Sequence, residues 1–350
     1  MLIKEVIQYL ESIAPPHYQE SYDNAGLIVG NPNWIITGAL ICLDSTEEIV
    51  EEAIEKDCNL IIAHHPIVFK GLKRFNGKNY IERTVIKAIK ADIAIYAIHT
   101  NLDNMYHNGV NAMIAKRLGL IKTKILAPKK ELKKVFVFVP VKAIDKVRNK
   151  LFAAGAGHTD ATNVSYMGIG AGTKNVSGEA VAKLEVSFPT DIQHKIAFLL
   201  TDTLSKFIIS YDIVEIENNL ASVGSGMIGK LPRAMNSLKF LSFLKKQMNA
   251  SCIKHTALLD KKIKKVAVCG GSGGFLLSHA IRQQADIFIT ADYKYHEFFD
   301  ANGQIIIADI GHYESEQFTN ELLYGLLKQK FRNFATQITE HNTNPVQYFF

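Results

Sequence analysis

The segment NLIIAHHP (59–66) is a run of aliphatic residues that ends on two histidines and is stopped by a proline. Two further apolar runs stand in the first third of the chain, GALICLD (38–44) and IAIYAIHTNLD (93–103), and amphipathic stretches with helical spacing separate the three. Buried strands that alternate with helices indicate parallel β-α-β units. The first third of the chain is therefore predicted to form an α/β lobe.

The last third of the chain repeats this alternation. Its apolar runs are KKVAVCGG (264–271), DIFITAD (286–292) and QIIIADIGH (304–312). One strand of each third ends on a histidine with a carboxylate four residues on, as in His99 with Asp103 and His312 with Glu316. Chance also produces such an echo, but it fits two similar three-layer α/β lobes that face each other across a cleft.

The middle of the chain has a different composition and order. A strand and a helix in 129–150 are followed by a Gly- and Ser-rich stretch (155–178), a strand (180–189), a helix (191–206) and a last strand (208–218). The β-α-β-β-α-β order is the ferredoxin-like plan. We expect lobes at 1–128 and 222–350, with an inserted ferredoxin-like α+β domain at 129–221.

Composition excludes several classes of protein. The chain has 350 residues, 40 Lys and Arg against 34 Asp and Glu, and four scattered cysteines. The mild basic excess permits nucleic-acid binding without indicating it, and the cysteine spacing favours buried thiols in a reducing compartment. There is no apolar run of about 18 residues, and the first 16 residues have the pattern of an amphipathic helix rather than a signal peptide. We expect a cytoplasmic protein without a membrane span.

Polar side chains follow two strands of the first lobe where each strand ends. His64 and His65 come directly after one strand, and His99, Asn101 and Asp103 follow the next. The carboxyl ends of parallel strands are where open α/β sheets bind ligands. Asp103 has an ordinary alternative role as the N-cap of the following helix.

The second lobe offers His312 and Glu316, whose i, i+4 spacing puts them on one helical face. An exposed histidine beside a glutamate favoured by the helix dipole is the alternative. Together with His64, His65 and Asp103 they make three imidazoles and two carboxylates, more than one catalytic zinc needs. Two divalent ions bridged by Asp103 and Glu316 fit better, and Zn, Mn and Fe all suit such ligands.

Two further motifs stand near predicted strand ends. The turn in VCGGSGGFLL (268–277) predicts a weak phosphate-binding nest of backbone amides, although a tight turn alone also explains it. The residues of that nest are Gly270, Gly271, Ser272 and Gly273. His296 and Glu297 are candidates for proton transfer, with a surface helix as the alternative. His99 and Asn101 are expected to support the metal ligands from behind.

Several motifs in the same order resemble those of the GTP cyclohydrolase 1 type 2 homologue family, also called the NGG-one-interacting-factor-three-like proteins. They are SYDNAGLIVG (21–30), AHHP (63–66), HTNLD (99–103), VAVCGGSGG (266–274), ITADYKYHE (289–297) and DIGHYESE (309–316). Tyr22 stands where the family more usually has tryptophan. The resemblance covers nearly the whole chain and carries the metal ligands over as His64, His65, Asp103, His312 and Glu316.

The resemblance implies a dinuclear metal site between two similar lobes and a homohexameric toroid around an internal cavity. It also implies that the insertion is similar to the PII and CutA proteins, with FAAGAGHTDATNVSY (152–166) and SYDIVEIEN (210–218) as its signatures. Longer members often have His-Pro-Tyr-Glu-Glu before the position of Ser210, and this chain lacks that motif.

Ligands and resemblance together favour a dinuclear-metal-dependent hydrolase acting on GTP or a related nucleotide. In that reaction a metal-bound hydroxide attacks C8 of the guanine ring, with His296 or Glu297 as proton-transfer candidates. The competing hypothesis is a non-enzymatic, metal-binding oligomeric adaptor whose insertion senses a small molecule or contacts a partner. A third, DNA binding, rests on charge alone.

Overall fold

The computed structural model describes residues 1–159, 162–170 and 180–349. The chain divides into two compact units, one formed by Met1–Ala127 with Ala221–Phe350 and the other by Pro128–Leu220. Part of the predicted Gly- and Ser-rich stretch and residues 160–161 of the signature at 152–166 lie outside the described residues. Within the described ranges, every helix is too short or too polar to cross a membrane.

Strands and helices are numbered in chain order. The strands are β1 (Gly26–Val29), β2 (Ala39–Cys42), β3 (Leu60–Ala63), β4 (Ala94–Ala97), β5 (Ile121–Pro128), β6 (Leu132–Pro140), β7 (His158–Thr159), β8 (Thr162–Asn163), β9 (Tyr166–Gly170), β10 (Val181–Pro189), β11 (Ser210–Glu215), β12 (Gly224–Met235), β13 (Lys254–His255), β14 (Ile263–Ser272), β15 (Ile287–Ala291), β16 (Ile306–Asp309) and β17 (Thr336–Ile338). The α-helices are α1 (Ile3–Ile13), α2 (Glu47–Glu55), α3 (Tyr80–Lys90), α4 (Thr100–Asp103), α5 (Val110–Arg117), α6 (Ile144–Ala153), α7 (Gln193–Phe198), α8 (Ser237–Gln247), α9 (Leu277–Arg282), α10 (His312–Glu316) and α11 (Thr319–Lys330). Short 3-10 or π turns include Tyr295–Ala301 and Leu199–Thr203.

The first sheet of the larger unit has the strand order β1-β4-β3-β2-β17. Strands β17, β2, β3 and β4 run parallel, and β1 closes the edge antiparallel to β4. Both faces are buried: Ile62 packs in a core shared with α1, while Ile61 packs with residues of α2 and α3. Burial on both sides explains the continuous apolar runs in the sequence.

The second sheet has the strand order β13-β16-β15-β14-β12-β5, with β14, β15 and β16 parallel. Val268 and Ile289 lie in the same core as Ile62 of the first sheet, whereas Ala267 and Phe288 face a separate core beside α9. The two sheets therefore belong to one compact body, and the prediction of a mixed α/β architecture is confirmed.

The smaller unit, Pro128–Leu220, has its own antiparallel sheet in the order β11-β6-β10-β9. Alternate residues of β6, such as Val135 and Val137, are buried against Val147 and Leu151 of α6. The alternation of buried and half-exposed residues is typical of a sheet with helices on one face. The backbone amide of Leu220 donates to the carbonyl of Lys129 at 3.0 Å, so the two ends of this unit lie together.

Parallel strands deliver the polar residues of the larger unit to the edges of the two sheets. In the first sheet β2 ends just before Asp44, β3 just before His64, and β4 just before His99. In the second sheet β15 ends just before Asp292, and α10 begins at His312, after β16. The strand ends therefore supply nearly all the polar groups of the candidate site.

Candidate metal centre

Four side chains, those of His64, His65, Asp103 and His312, gather around the carboxylate of Glu316. Its Oε2 atom lies 3.0 Å from His65 Nε2, 3.1 Å from His312 Nε2 and 3.9 Å from His64 Nε2. Asp103 Oδ1 completes the group, 3.5 Å from His64 Nε2. The structure thus brings together all five residues that the sequence indicates as ligands.

Candidate ligand atoms within 4.8 Å of one another form three overlapping triads. One combines His65, His312 and Glu316, and another His64, Asp103 and Glu316. The third adds His99 to His64 and His65. Each residue offers one atom and the triads share members, so they describe one cluster that could hold a metal ion.

Each imidazole of the cluster is oriented by a hydrogen bond from its Nδ1 atom. The acceptors are Ile98 O for His64 (2.8 Å), Asp44 Oδ1 for His65 (2.7 Å), Asp23 Oδ1 for His99 (2.7 Å) and Asp292 Oδ2 for His312 (2.6 Å). Such partners fix the tautomer and the ring direction of metal-binding histidines. The same nitrogen, Nε2, is therefore left facing the cluster in every case.

Two atoms of the cluster are buried without a hydrogen-bond partner among the described residues, His64 Nε2 and Asp103 Oδ1. Buried polar atoms are normally satisfied because desolvation without a partner is costly. A divalent cation between these atoms would satisfy both. Mixed imidazole and carboxylate donors are also the ligands that Zn, Mn and Fe accept, so the residues fit a metal.

The charges of Glu316 and its neighbouring histidines stabilise each other. Burial opposes charge on His65, but its hydrogen bonds to Asp44 and Glu316 outweigh burial and raise the pKa of His65 to about 10. Burial also opposes charge on His312, but the charges of Glu316 and Asp292 and the hydrogen bonds to them outweigh burial and raise the pKa of His312 to about 11. In return, charge pairing with His312 and His65 holds the pKa of Glu316 well below its usual range despite burial.

His64 and Asp103 are shifted toward their neutral forms. Burial lowers the pKa of His64 to about 3, so this imidazole is neutral and can act as a donor to a cation. Burial, reinforced by the charge of Glu316, raises the pKa of Asp103 well above its usual range. Two carboxylates at close range disfavour each other's ionisation, and a divalent cation between them removes that repulsion.

The structure differs from the helix-cap alternative for Asp103, whereas the His312 side chain is 40% exposed, as the alternative for that histidine expects. The helix after Asp103, α5, has Gly109 as its N-cap. The Glu316 side chain is 4% exposed rather than on the surface. His99 lies closer to the centre than expected for a supporting residue, because its ring joins a ligand triad. Asn101 supports the backbone instead: its Nδ2 donates to Ala14 O at 2.7 Å and its Oδ1 accepts from His99 N at 2.9 Å.

Two backbone amides of the glycine turn, where a phosphate nest is predicted, donate to side chains of the protein itself. Gly270 N donates to Asn111 Oδ1 at 3.0 Å, and Gly271 N donates to Ser315 Oγ at 2.8 Å. The predicted nest consists of Gly270, Gly271, Ser272 and Gly273, and the backbone amides of its first two residues are therefore not free to bind a phosphate. Gly271 has φ +62°, and a Cβ there would overlap the Glu316 carboxylate, so the glycine admits this ligand.

The structure does not bring His296 and Glu297 to the cluster. Both lie in the turn Tyr295–Ala301, where His296 is exposed and Glu297 Oε2 accepts from the backbone amide of Lys294 at 3.0 Å. Neither residue is among those that line the cavity at the cluster. Their position agrees with the alternative interpretation, in which both residues belong to a helix at the surface.

A cavity of about 1140 Å³ opens onto the cluster. The charged part of its lining is mainly acidic and includes Asp44, Asp103, Asp292, Glu314 and Glu316, with Lys70 and Lys254 also present. Exposed aromatic side chains line it as well, namely Tyr22, Phe69, Tyr80, Phe275 and Tyr348. Acidic walls concentrate cations, and aromatic walls offer faces on which a planar ring can stack.

Three carboxylates that orient the histidines escaped the sequence reasoning: Asp23, Asp44 and Asp292. Asp44 and Asp292 directly follow strands, as the ligands do, so the rule that found His64 would have found them. Asp292 also has φ +59°, which is uncommon outside glycine. Asp23 lies in a loop, and only the tertiary fold brings its Oδ1 atom to His99. Its Oδ2 atom accepts a hydrogen bond from Thr100 N at 3.0 Å.

Comparison with known proteins relates the whole chain to one family. Residues 1–345 match the family described as Duf34/NIF3 (NGG1p interacting factor 3). A Bacillus subtilis protein named GTP cyclohydrolase 1 type 2 homolog is 34% identical, with 99% of this chain and 98% of the relative aligned. A Staphylococcus epidermidis protein of the same name is also 34% identical and is covered completely.

Solved structures show the same fold. A Bacillus cereus protein related to NIF3 superimposes with a TM-score of 0.80 at 33% identity, covering 100% of this chain and 99% of the other. Staphylococcus aureus protein SA1388 gives a TM-score of 0.84 at 29% identity with the same coverage. These similarities extend over both compact units.

Gly271→Ala is expected to weaken metal binding because the new Cβ displaces the Glu316 carboxylate. The left-handed backbone at this residue should also lower the free energy of unfolding by about 1–3 kcal/mol. Urea unfolding in chelator and zinc titration measure the two effects separately.

Gly325→Ala is the matched control, since Gly325 is an exposed residue of α11 with open space around its Cβ position. It should leave zinc affinity unchanged and raise stability by about 0.5–1 kcal/mol. Equal zinc affinities for Gly271→Ala and Gly325→Ala would contradict the assigned role of Gly271.

Proposed function

This chain belongs to the Duf34/NIF3 family, and we propose that it is a dinuclear-metal-dependent hydrolase acting on GTP or a related nucleotide. The convergence of three imidazoles and two carboxylates on one buried point is the observation that carries the proposal. The name GTP cyclohydrolase 1 type 2 homolog, given to relatives that are 34% identical, supports the choice of substrate.

Two divalent ions, when bound, supply Lewis acidity that makes water nucleophilic at neutral pH. His64, His65 and His312 would be the imidazole ligands, and Asp103 and Glu316 would supply the carboxylate ligands. Asp44 and Asp292 hold the rings of His65 and His312, so these ligands are preorganised before substrate arrives.

His99 replaces His296 and Glu297 as the candidate for proton transfer. Its Nδ1 donates to Asp23, which also accepts from Thr100, and its ring lies with centroids 5.3 Å from those of His64 and His65. His99 also lines the cavity. We assign it as the side chain that contacts both the cluster and a bound substrate.

The cavity is large enough for a nucleotide and offers aromatic faces for its base. Its volume of about 1140 Å³ exceeds the upper end, about 1,000 Å³, of ordinary small-molecule sites. Tyr22 and Phe275 are 67% and 65% exposed at its wall and offer faces for a purine. Lys70 offers a cation for the phosphates.

The smaller unit is proposed to be a ferredoxin-like domain of the PII and CutA kind, inserted in the sequence of the larger unit. Its β-α-β-β-α-β order and its strand order β11-β6-β10-β9 support this. The larger unit is proposed to consist of two similar lobes that face each other across the metal cleft. The proposed location of the protein is the cytoplasm.

The first test is turnover of GTP. Purified protein with Zn or Mn should release formate and a pterin precursor, and Asp103→Ala should abolish release because a carboxylate ligand is lost. The variant must retain its circular dichroism spectrum. If the wild-type protein, shown to carry metal, yields neither product, the proposed GTP activity is contradicted.

A homohexamer is the proposed assembly, with the metal centres facing an internal cavity. Light scattering should give a mass six times the 39.0 kDa of one chain. A monomeric mass at micromolar concentration would contradict it.

The second candidate function is a non-enzymatic, metal-binding adaptor whose insertion senses a small molecule or contacts a partner. The separate core of Pro128–Leu220 favours it, because such a unit can carry a function of its own. The contact between Leu220 and Lys129 allows the unit to be replaced by a short linker.

Replacing residues 129–221 with a Gly-Ser linker separates the two candidates. The hydrolase predicts turnover within about twofold of the full chain, since every ligand lies outside the unit. Absence of turnover in both forms, with partner binding lost on deletion, would favour the adaptor. Metal content and circular dichroism verify that the shortened chain folds.

A further inference from the structure

The segment that follows β17 crosses from the first sheet to the helix carrying two of the ligands. We call residues 339–348 the strap. Its start is anchored to the first sheet, where Thr339 N donates to Ile41 O and Glu340 N donates to Glu52 Oε1, both at 2.9 Å. Further along, Pro345, Val346 and Tyr348 line the cavity at the metal cluster.

Two adjacent residues of the strap contact opposite sides of the cluster. Thr343 Oγ1 donates to Asp44 Oδ2 at 2.8 Å, after β2 of the first sheet. Asn344 Nδ2 donates to Glu314 Oε1 at 3.2 Å, in α10 of the second sheet. Glu314 lies between His312 and Glu316 in sequence, so the strap reaches the elements that carry ligands from both sheets.

The residue that Thr343 contacts, Asp44, also holds the candidate ligand His65. Asp44 uses Oδ1 to accept from His65 Nδ1 at 2.7 Å and Oδ2 to accept from Thr343. The Asp44 side chain is 34% exposed and water competes for it. A second hydrogen bond removes rotational freedom from the carboxylate and therefore from the His65 ring that it holds.

We propose that the strap is a positioning element of the metal centre, in which Thr343 orients Asp44 and Asp44 in turn orients His65. The proposal rests on the proposed metal function. Because linkage is reciprocal, a metal bound by His65 must also stabilise the strap in this position. The strap forms part of the cavity wall, so metal occupancy and the shape of the substrate cavity are coupled.

Thr343→Val tests the positioning role, since it removes the hydroxyl and keeps the shape. Zinc affinity, measured by competition with a chromophoric chelator, should fall about tenfold, the low end for losing an outer partner of a ligand. Thr343→Ser, which restores the hydroxyl, should recover affinity to within about twofold of wild type. Thr201→Val, the same change at an exposed residue of the smaller unit outside the cavity lining, is the control and should match wild type.

Unchanged zinc affinity in Thr343→Val overturns the proposal and leaves the proposed function standing. Absence of zinc binding in the wild-type chain overturns the proposed function itself. A merely structural role for Thr343 would lower the melting temperature in chelator without the change in affinity, and this outcome also overturns the proposal.

An Asp44→Ala background tests the order of the relay. There Thr343→Val should cost no further affinity, because the group through which it acts is gone. A second full tenfold loss overturns the relay. Hydrogen exchange on the intact protein adds an independent readout: zinc should slow exchange of strap amides such as Asn344 and Val346, and unchanged exchange contradicts the coupling.

Discussion

The shared carboxylate oxygen of Glu316 is the contact on which the metal centre depends. Oε2 lies within 3.1 Å of Nε2 of both His65 and His312, on a side chain that is 4% exposed. Removing a carboxylate from water is costly unless charge and hydrogen bonds compensate it. Positive charge on the two imidazoles compensates it in this chain, and divalent cations would do so more completely, which explains why so many titratable groups are gathered in one buried place.

Two sets of contacts hold the side chains around Glu316: one sets the backbone positions of the candidate ligands, and the other orients their imidazole rings. His64 and His65 directly follow strand β3, whereas Asp103 ends helix α4 and His312 and Glu316 lie in helix α10, so buried strands and two short helices set the backbone positions. Their ring orientations depend on Asp23, Asp44 and Asp292, which are held by loops and by the strap. In such a site the backbone positions of the ligands are fixed, whereas the carboxylates that orient the imidazole rings can change position.

The α/β strands and the five candidate ligands could be predicted from local pattern: apolar runs set the strands, and the end of β3 sets where His64 and His65 lie. Asp103 ends helix α4 rather than an extended segment. The family resemblance was confirmed by the match over residues 1–345. The residues that orient the candidate ligands could not be predicted, because they depend on contacts between distant parts of the chain. Asp23 meets His99 across 76 positions, and Thr343 meets Asp44 across 299. The glycines at 270–273 suggested a phosphate site because glycine density does not reveal that Gly271 makes room for Glu316.

The central claim is that Glu316 and its neighbours hold two metal ions in each chain. Elemental analysis of the purified full-length protein, after dialysis against metal-free buffer, measures this directly. The claim predicts close to two equivalents of zinc, manganese or iron per chain, and zero or one equivalent would contradict it.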